Sequence, residues 1–152
     1  MTRSGPQRFE LPYGAGTVTV ELPWSLEVRR IEPAAREAAA DPTAVVRAAL
    51  DNLVGGLAWD RFAGRRTAAI AVNDKTRPVP HDVLLPPLLA RLEAAGFARE
   101  DITLIVATGT HPPMTAAEFP GILPREITDR YHVVSHDGFD AAGLVEVGTT
   151  SR

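Results

Sequence analysis

Two apolar runs of strand length dominate the hydrophobic pattern of the chain. Residues 67–72 (TAAIAV) and 102–108 (ITLIVAT) contain no charged side chain. A strand without polar alternation is typical of a parallel sheet that is covered on both faces. The first run therefore predicts a central parallel strand, and HVVSHD predicts a third, brief strand from His132 to Ser135.

Helical spacing of apolar residues is found in two longer segments. DPTAVVRAALDNLVGG begins with Asp41 as a helix N-cap, places a proline at the first helical position and ends in glycines. HDVLLPPLLARLEAAG has similar spacing but contains the adjacent residues Pro86 and Pro87. Because proline inside a helix removes a hydrogen bond and crowds the preceding turn, we expect a kink or a late helix start there.

Strand and helix alternate from about residue 67 onward, with short helices expected in MTAAEF and PREITDRY. This alternation predicts βαβ crossovers, a parallel sheet and helices on both of its faces. Before it, RFELPYGAGTVTVELP has the alternation and glycine turn of a β-hairpin. The predicted fold is therefore a single α/β domain over residues 1–152, Rossmann-like, with residues 1–30 as an N-terminal β-hairpin extension.

Composition and charge narrow the classes of function. A chain of 152 residues has the size of one domain, and its net charge of -3 comes with no basic cluster, so neither nucleic acid nor a membrane surface is an expected partner. The absence of cysteine excludes disulfides, thiolate metal sites and cysteine nucleophiles. With no signal-peptide pattern and no apolar run near the roughly 18 residues that span a bilayer, we expect a cytoplasmic protein.

Polar side chains follow all three predicted strands at their carboxyl ends. In open parallel sheets the ligand crevice lies outside these ends. We therefore expect Asp74, Arg77 and His111 to converge on one cleft if the strands are neighbours, with His136 as a further member. The three polar segments are NDKTR at 73–77, TGTH at 108–111 and SHD at 135–137.

Each of these side chains has a structural alternative to a functional role. Asp74 can simply accept hydrogen bonds from the amides of its own turn. The planar fork of Arg77 suits a carboxylate or a phosphate, although most surface arginines are only solvated. His111 can act as a general acid or base, since an imidazole titrates near neutral pH, or it can only bond a backbone carbonyl.

The other histidines are weaker candidates. His136 can simply cap the strand that it follows, and His132 and His81 are weaker still. Asp74, His111 and His136 are residue types that bind metals, but their local spacing does not support a metal site.

Three segments of the chain resemble the N-terminal domain of the lactate racemase family, whose members use a nickel-pincer nucleotide cofactor. The combination of D-K-T-R-P and A-T-G-T-H on successive strand ends is more specific than either motif alone. The similarity extends over most of the chain, from LPYGAG to LVEVGTTSR. The three segments are NDKTRPVP, LIVATGTHPPMTAAEF and RYHVVSHD.

The resemblance implies a role for each matched residue. Asp74, Lys75, Thr76 and Arg77 match the family's loop that contacts the pincer nucleotide. Arg77 also matches the arginine that holds the substrate carboxylate, and His111 matches one of two catalytic histidines. In that chemistry a 2-hydroxy acid gives hydride from its carbinol carbon to the cofactor, while a histidine takes the hydroxyl proton.

The resemblance also implies what this chain lacks. In the family, the second catalytic histidine, the lysine that tethers the cofactor and the histidine that ligates nickel lie beyond the segment matching VGTTSR. We therefore expect an N-terminal domain or a truncated piece of a longer protein, inactive without its C-terminal domain and prone to self-association through uncovered apolar surface. The alternative is a non-catalytic module that binds a small anion or a partner protein.

Overall fold

A computed structural model describes residues 5–151, which form two compact units that divide after residue 37. The first unit is an antiparallel ribbon of β1 (Gln7–Tyr13) and β2 (Gly16–Leu22). Gly14 makes the turn with a φ of 57°, a conformation that glycine adopts without strain. The predicted hairpin is confirmed, and neither strand contains a buried residue. Residues 1–4 of the predicted extension lie outside the described part.

The second unit is built on a three-stranded parallel sheet. It consists of β3 (Ala68–Asn73), β4 (Ile102–Ala107) and β5 (His132–Ser135), in the order β3-β4-β5. The predicted α/β class is confirmed. The prediction of β3 as the central strand is wrong, because β4 holds that position among the described residues. Alanine explains the error: Ala69 and Ala71 are exposed, and such small side chains do not mark a face as buried.

Three α-helices accompany the sheet within residues 5–151, namely α1 (Pro42–Asp51), α2 (His81–Ala94) and α3 (Arg125–Thr128). The predicted cap of α1 is confirmed, since the Asp41 carboxylate accepts a hydrogen bond from the Ala44 amide at 2.9 Å. The α1 helix packs against α2. None of the helices in the described part is long and apolar enough to cross a membrane.

The α2 helix begins at His81 and continues through Pro86 and Pro87, so of the two expected outcomes the late start is wrong and the kink stays a prediction. Leu85 and Leu89 on its inner face are only 3% and 2% exposed. Burying a leucine side chain contributes about 1.5–3 kcal/mol, which offsets the hydrogen bonds that the prolines cannot make. The burial of these leucines therefore favours a helix that continues through the two prolines.

The two shorter helix predictions have different outcomes. PREITDRY contains α3, as predicted. MTAAEF contains no α-helix; residues 116–118 form a turn that leads into a 3₁₀ turn at Phe119–Gly121. The Glu118 carboxylate closes that turn by accepting from the Thr115 amide, and Pro120 cannot supply a helical hydrogen bond.

The core lies on one face of the sheet. Ile102, Leu104 and Val106 of β4 are fully buried, and they alternate with half-buried or exposed residues on the other face. The remaining core side chains come from β3, α2, α3 and the connecting segments; they are Val72, Leu85, Leu89, Phe97, Met114, Phe119, Leu123 and Ile127.

A cluster of polar side chains links α2 to the segments that precede β4 and β5, at the amino-terminal side of the sheet. The Glu93 carboxylate at the end of α2 accepts hydrogen bonds from Arg99 Nε at 2.8 Å and from the Tyr131 hydroxyl at 2.5 Å. The Arg99 guanidinium also lies over the Tyr131 ring, 5.6 Å from its centre. These donors, Arg99 first, lower the pKa of Glu93 to about 2. The cluster leaves the carboxyl ends of the strands free to build a site.

Candidate functional site

A buried carboxylate lies at the carboxyl end of β3. Asp74 is only 5% exposed, and it has three donors from two loops. Its Oδ1 accepts from the Thr76 hydroxyl at 2.6 Å and from the Thr76 amide at 3.1 Å. Its Oδ2 lies 2.7 Å from Nδ1 of His111, which follows β4. Asp74 therefore closes its own turn and also holds the histidine of the neighbouring loop.

These contacts fix the protonation state of Asp74. The Thr76 hydroxyl, followed by His111, lowers the pKa of the Asp74 carboxyl to about 2, against the opposing effect of burial. An ionised carboxylate only accepts, so Nδ1 of His111 must carry the hydrogen of this bond. Neutral His111 then has its lone pair on Nε2, and its side chain is 51% exposed. In the neutral form of the pair, Nε2 is therefore the ring nitrogen that can accept a proton.

Local turn chemistry places both partners. The amide of Arg77 donates to the Asp74 carbonyl at 3.2 Å, which folds residues 74–77 into a tight turn directly after β3. The amide of His111 donates to the Thr108 carbonyl at 3.0 Å. That second turn needs Gly109, whose φ is +60°. Both loops belong to neighbouring strands, so their side chains meet at one edge.

A second link joins the same two loops. Lys75 Nζ lies 2.5 Å from Oε1 of Glu118, and Oε2 of Glu118 accepts from the amide and the hydroxyl of Thr115 at 2.9 and 3.0 Å. These donors, Lys75 first, lower the pKa of Glu118 to about 2. Sequence reasoning missed Glu118. The signal that could have found it is the T-x-x-E spacing of a capping box, which here closes a turn instead of a helix.

Arg77 lies at a small cleft beside this link. Its guanidinium forms no ion pair with any residue between 5 and 151. Another residue at this cleft is His81, the first residue of α2. His81 is buried at 5% exposure, and its Nδ1 lies 3.0 Å from the Ile122 carbonyl oxygen. The cleft has a volume of about 280 Å³. It is lined by Lys75, Arg77, Pro78, Val79, His81, Gly121 and Ile122.

The loop after β5 is fastened to the loop after β4. The buried Thr108 hydroxyl donates to the His136 carbonyl at 2.7 Å and lies 3.4 Å from His136 Nδ1. A Cβ on Gly138 would lie 2.6 Å from the Gly109 carbonyl oxygen, so only glycine fits this approach. The structure thus brings Asp74, Thr76 and His111 together, whereas the ring of His136 is beside Thr108. His132 lies at the opposite, amino end of β5.

No metal centre is formed by the described residues. Between residues 5 and 151 there is no group of three or more histidine or carboxylate side chains arranged to hold a metal ion. The described residues instead bring Asp74 and His111 together as a carboxylate and histidine pair. Arg77 lines the small cleft, and neither Asp74 nor His111 is among the described residues that form its walls. The expected convergence of Arg77 with the pair therefore stays a prediction.

Comparison with known proteins adds three findings. The family model for the lactate racemase N-terminal domain matches residues 13–152. The lactate racemase of Lactiplantibacillus plantarum is 30% identical over 144 residues, which cover 92% of this chain and 34% of that protein. The lactate racemase of Thermoanaerobacterium thermosaccharolyticum is 26% identical over 148 residues, which cover 93% of this chain and 34% of that protein.

The fold is similar as well. The solved structure of the lactate racemase apoprotein from Thermoanaerobacterium thermosaccharolyticum superposes with a TM-score of 0.72 at 26% sequence identity. The superposition covers 94% of this chain and 33% of that chain. The chain therefore spans about a third of the length of these relatives.

Proposed function

Because this chain belongs to the lactate racemase N-terminal domain family, we propose that it supplies part of the active site of a 2-hydroxy acid racemase or epimerase. The observation that carries the proposal is the contact of 2.7 Å between Asp74 and His111. Such an isomerase needs further residues to complete its site, so the chain alone is expected to be inactive. We also propose a cytoplasmic location; the hydrophobic and charged content of the chain is that of an average soluble globular protein.

His111 is the proposed base. With Nδ1 bonded to the Asp74 carboxylate, its Nε2 accepts the hydroxyl proton of the 2-hydroxy acid. Asp74 keeps the imidazole in this tautomer and stabilises the imidazolium that forms when the proton arrives. Thr76 supports the pair because its hydroxyl keeps Asp74 ionised. The hydroxyl oxygen of the substrate must therefore lie within hydrogen-bond reach of His111.

Arg77 is the proposed partner of the substrate carboxylate. Its guanidinium has no acidic partner in the described part of the chain, and its turn begins at Asp74. Two parallel N–H groups of arginine match the two oxygens of a carboxylate and fix its orientation. A carboxylate held by Arg77 and a hydroxyl facing His111 are the two features that distinguish a 2-hydroxy acid.

The described residues fit one part of the cofactor that the family implies. The lysine and arginine of the Asp74–Arg77 loop suit the anionic part of a nickel-pincer nucleotide, and we propose that this loop contacts it. The described residues provide no cluster that would hold nickel, so the ligands of the metal would have to come from elsewhere. When bound, the pincer nucleotide supplies the hydride acceptor.

A binding module without catalysis is the second candidate function. Arg77 lines a small cleft and has no acidic partner among residues 5–151, which favours capture of a small anion. A groove of about 670 Å³ beside β3, with Leu53, Leu57 and Leu88 among its apolar walls, supports contact with the C-terminal domain that the resemblance implies. Such a module would bind a 2-hydroxy acid equally well with or without His111.

The test uses a full-length protein that carries this domain. Replacing His111 by Gln should lower kcat by about 10²–10⁴-fold, the usual contribution of a general base, and leave the circular dichroism spectrum unchanged. Arg77→Met should raise KM at least tenfold. His132→Gln, at the amino end of β5, is the control and should leave both constants unchanged. Normal turnover in His111→Gln would refute the catalytic role and favour the binding module.

A further inference from the structure

Two loops carry the Asp74–His111 pair, and their relative position has to be exact. Asp74 and Thr76 belong to one turn, so their contacts form locally. The contact with His111 instead joins residues 37 positions apart in the chain. Among the described residues, only one other side-chain hydrogen bond joins residues 73–77 to residues 108–118, and it is the one between Lys75 and Glu118.

We propose that Glu118 is a positioning residue for the Asp74–His111 pair. It does not touch the pair itself. Its Oε2 is held by two donors of Thr115, which fixes the carboxylate on the loop after β4. Its Oε1 then receives Lys75, the residue next to Asp74. Through this contact the loop after β4 holds the loop after β3 in register.

The exposure of the ion pair supports a positional role over a stabilising one. The side chains of Lys75 and Glu118 are 60% and 38% exposed, and ion pairs of this kind contribute little to the free energy of folding. A carboxylate already fixed by two hydrogen bonds loses little side-chain freedom when it pairs. The bridge can therefore set the geometry of the loops at small entropic cost.

Lys75 has a structural role in this proposal. A lysine in the loop that follows β3 would otherwise be assigned to ligand binding alone, whereas its ammonium group here has a protein partner. The inference concerns the geometry of the pair and holds whatever reaction the pair serves. Its failure would leave the proposed role of His111 intact, since that role is tested by turnover.

The decisive variant is Glu118→Gln in this chain, followed by the ¹³C shift of the Asp74 carboxyl during an acid titration. Gln keeps an oxygen for Thr115 but loses the charge that holds Lys75. If the clamp positions Asp74 against His111, its loss weakens that contact and raises the pKa of Asp74 from about 2 toward 3.8. A purely electrostatic effect has the opposite sign, because removing a nearby anion lowers the pKa of a carboxyl.

A second variant changes no charge. Thr115→Val removes one of the two donors that fix Glu118, and should raise the pKa of Asp74 by a smaller amount than Glu118→Gln does. Glu126→Gln on α3 is the matched control and should leave the titration of Asp74 unchanged. An unchanged or lowered pKa of Asp74 in both Glu118→Gln and Thr115→Val would overturn the proposal.

Discussion

The hydroxyl of Thr76 should control the protonation of Asp74, and replacing it by Val tests this directly. The two side chains have nearly the same shape, so the turn and the hydrogen bond from the Thr76 amide are kept. The hydroxyl is the largest cause of the lowered pKa of Asp74, ahead of His111. Because the other donors remain, we expect the pKa to rise by about one unit, from about 2 to about 3.

This shift is large enough to measure at a single pH. At pH 3, a carboxyl with a pKa of 2 is about 9% protonated, and one with a pKa of 3 is about 50% protonated. The ¹³C shift of the Asp74 carboxyl, recorded on this chain between pH 2 and 6, reports the protonated fraction. Thr128→Val on α3 is the control: this hydroxyl donates to the Arg125 carbonyl, and its loss should leave the Asp74 titration in place.

The same shift has a consequence for acid stability. A carboxyl whose pKa is lowered on folding stabilises the native state above its unfolded pKa of about 3.8, and this stabilisation is lost as the pH falls through the native value. In the parent chain the loss extends down to about pH 2, and in Thr76→Val it should be complete nearer pH 3. A variant whose Asp74 titrates like that of the parent chain would refute the assigned cause.

Three further substitutions test the framework around the site. Leu104→Ala, at a fully buried position, should lower the free energy of unfolding by about 2–5 kcal/mol in urea denaturation, whereas Val45→Ala on exposed α1 should have a far smaller effect. Gly138→Ala should cost about 1–3 kcal/mol and shift the amide signals of residues 108–111, because its Cβ would meet a backbone oxygen at 2.6 Å; unchanged signals would contradict this contact. Tyr131→Phe should raise the pKa of Glu93 and lower stability by about 1 kcal/mol at neutral pH, an effect that should disappear once Glu93 is protonated in acid.

Much of the fold was readable from the sequence because the signals are local. The cap at Asp41, the glycine turn of the hairpin and the apolar runs of the strands each depend on neighbours within a few positions. The place of the site followed from one further rule, that parallel strands present their carboxyl ends at a common edge. That rule placed Asp74 near His111 without any knowledge of side-chain contacts.

The features that the sequence did not reveal depend on contacts distant in the chain. Alanines gave β3 the pattern of a central strand, although they carry little information about burial. The prolines of α2 were judged by local strain, whereas the burial of Leu85 and Leu89 favours a helix that continues through them. Glu118 acts on a lysine 43 positions away, and no periodicity reports that pairing.

The ribbon of β1 and β2 has no buried residue of its own. An isolated two-stranded hairpin is marginally stable at best in water, because its cross-strand pairs must offset the ordering of both strands without help from a core. Deuterium uptake should therefore follow two different mechanisms. The amides of the β1–β2 ladder, from Gln7 to Leu22, should exchange through frequent local opening. The amides of β4 should exchange only when the second unit unfolds.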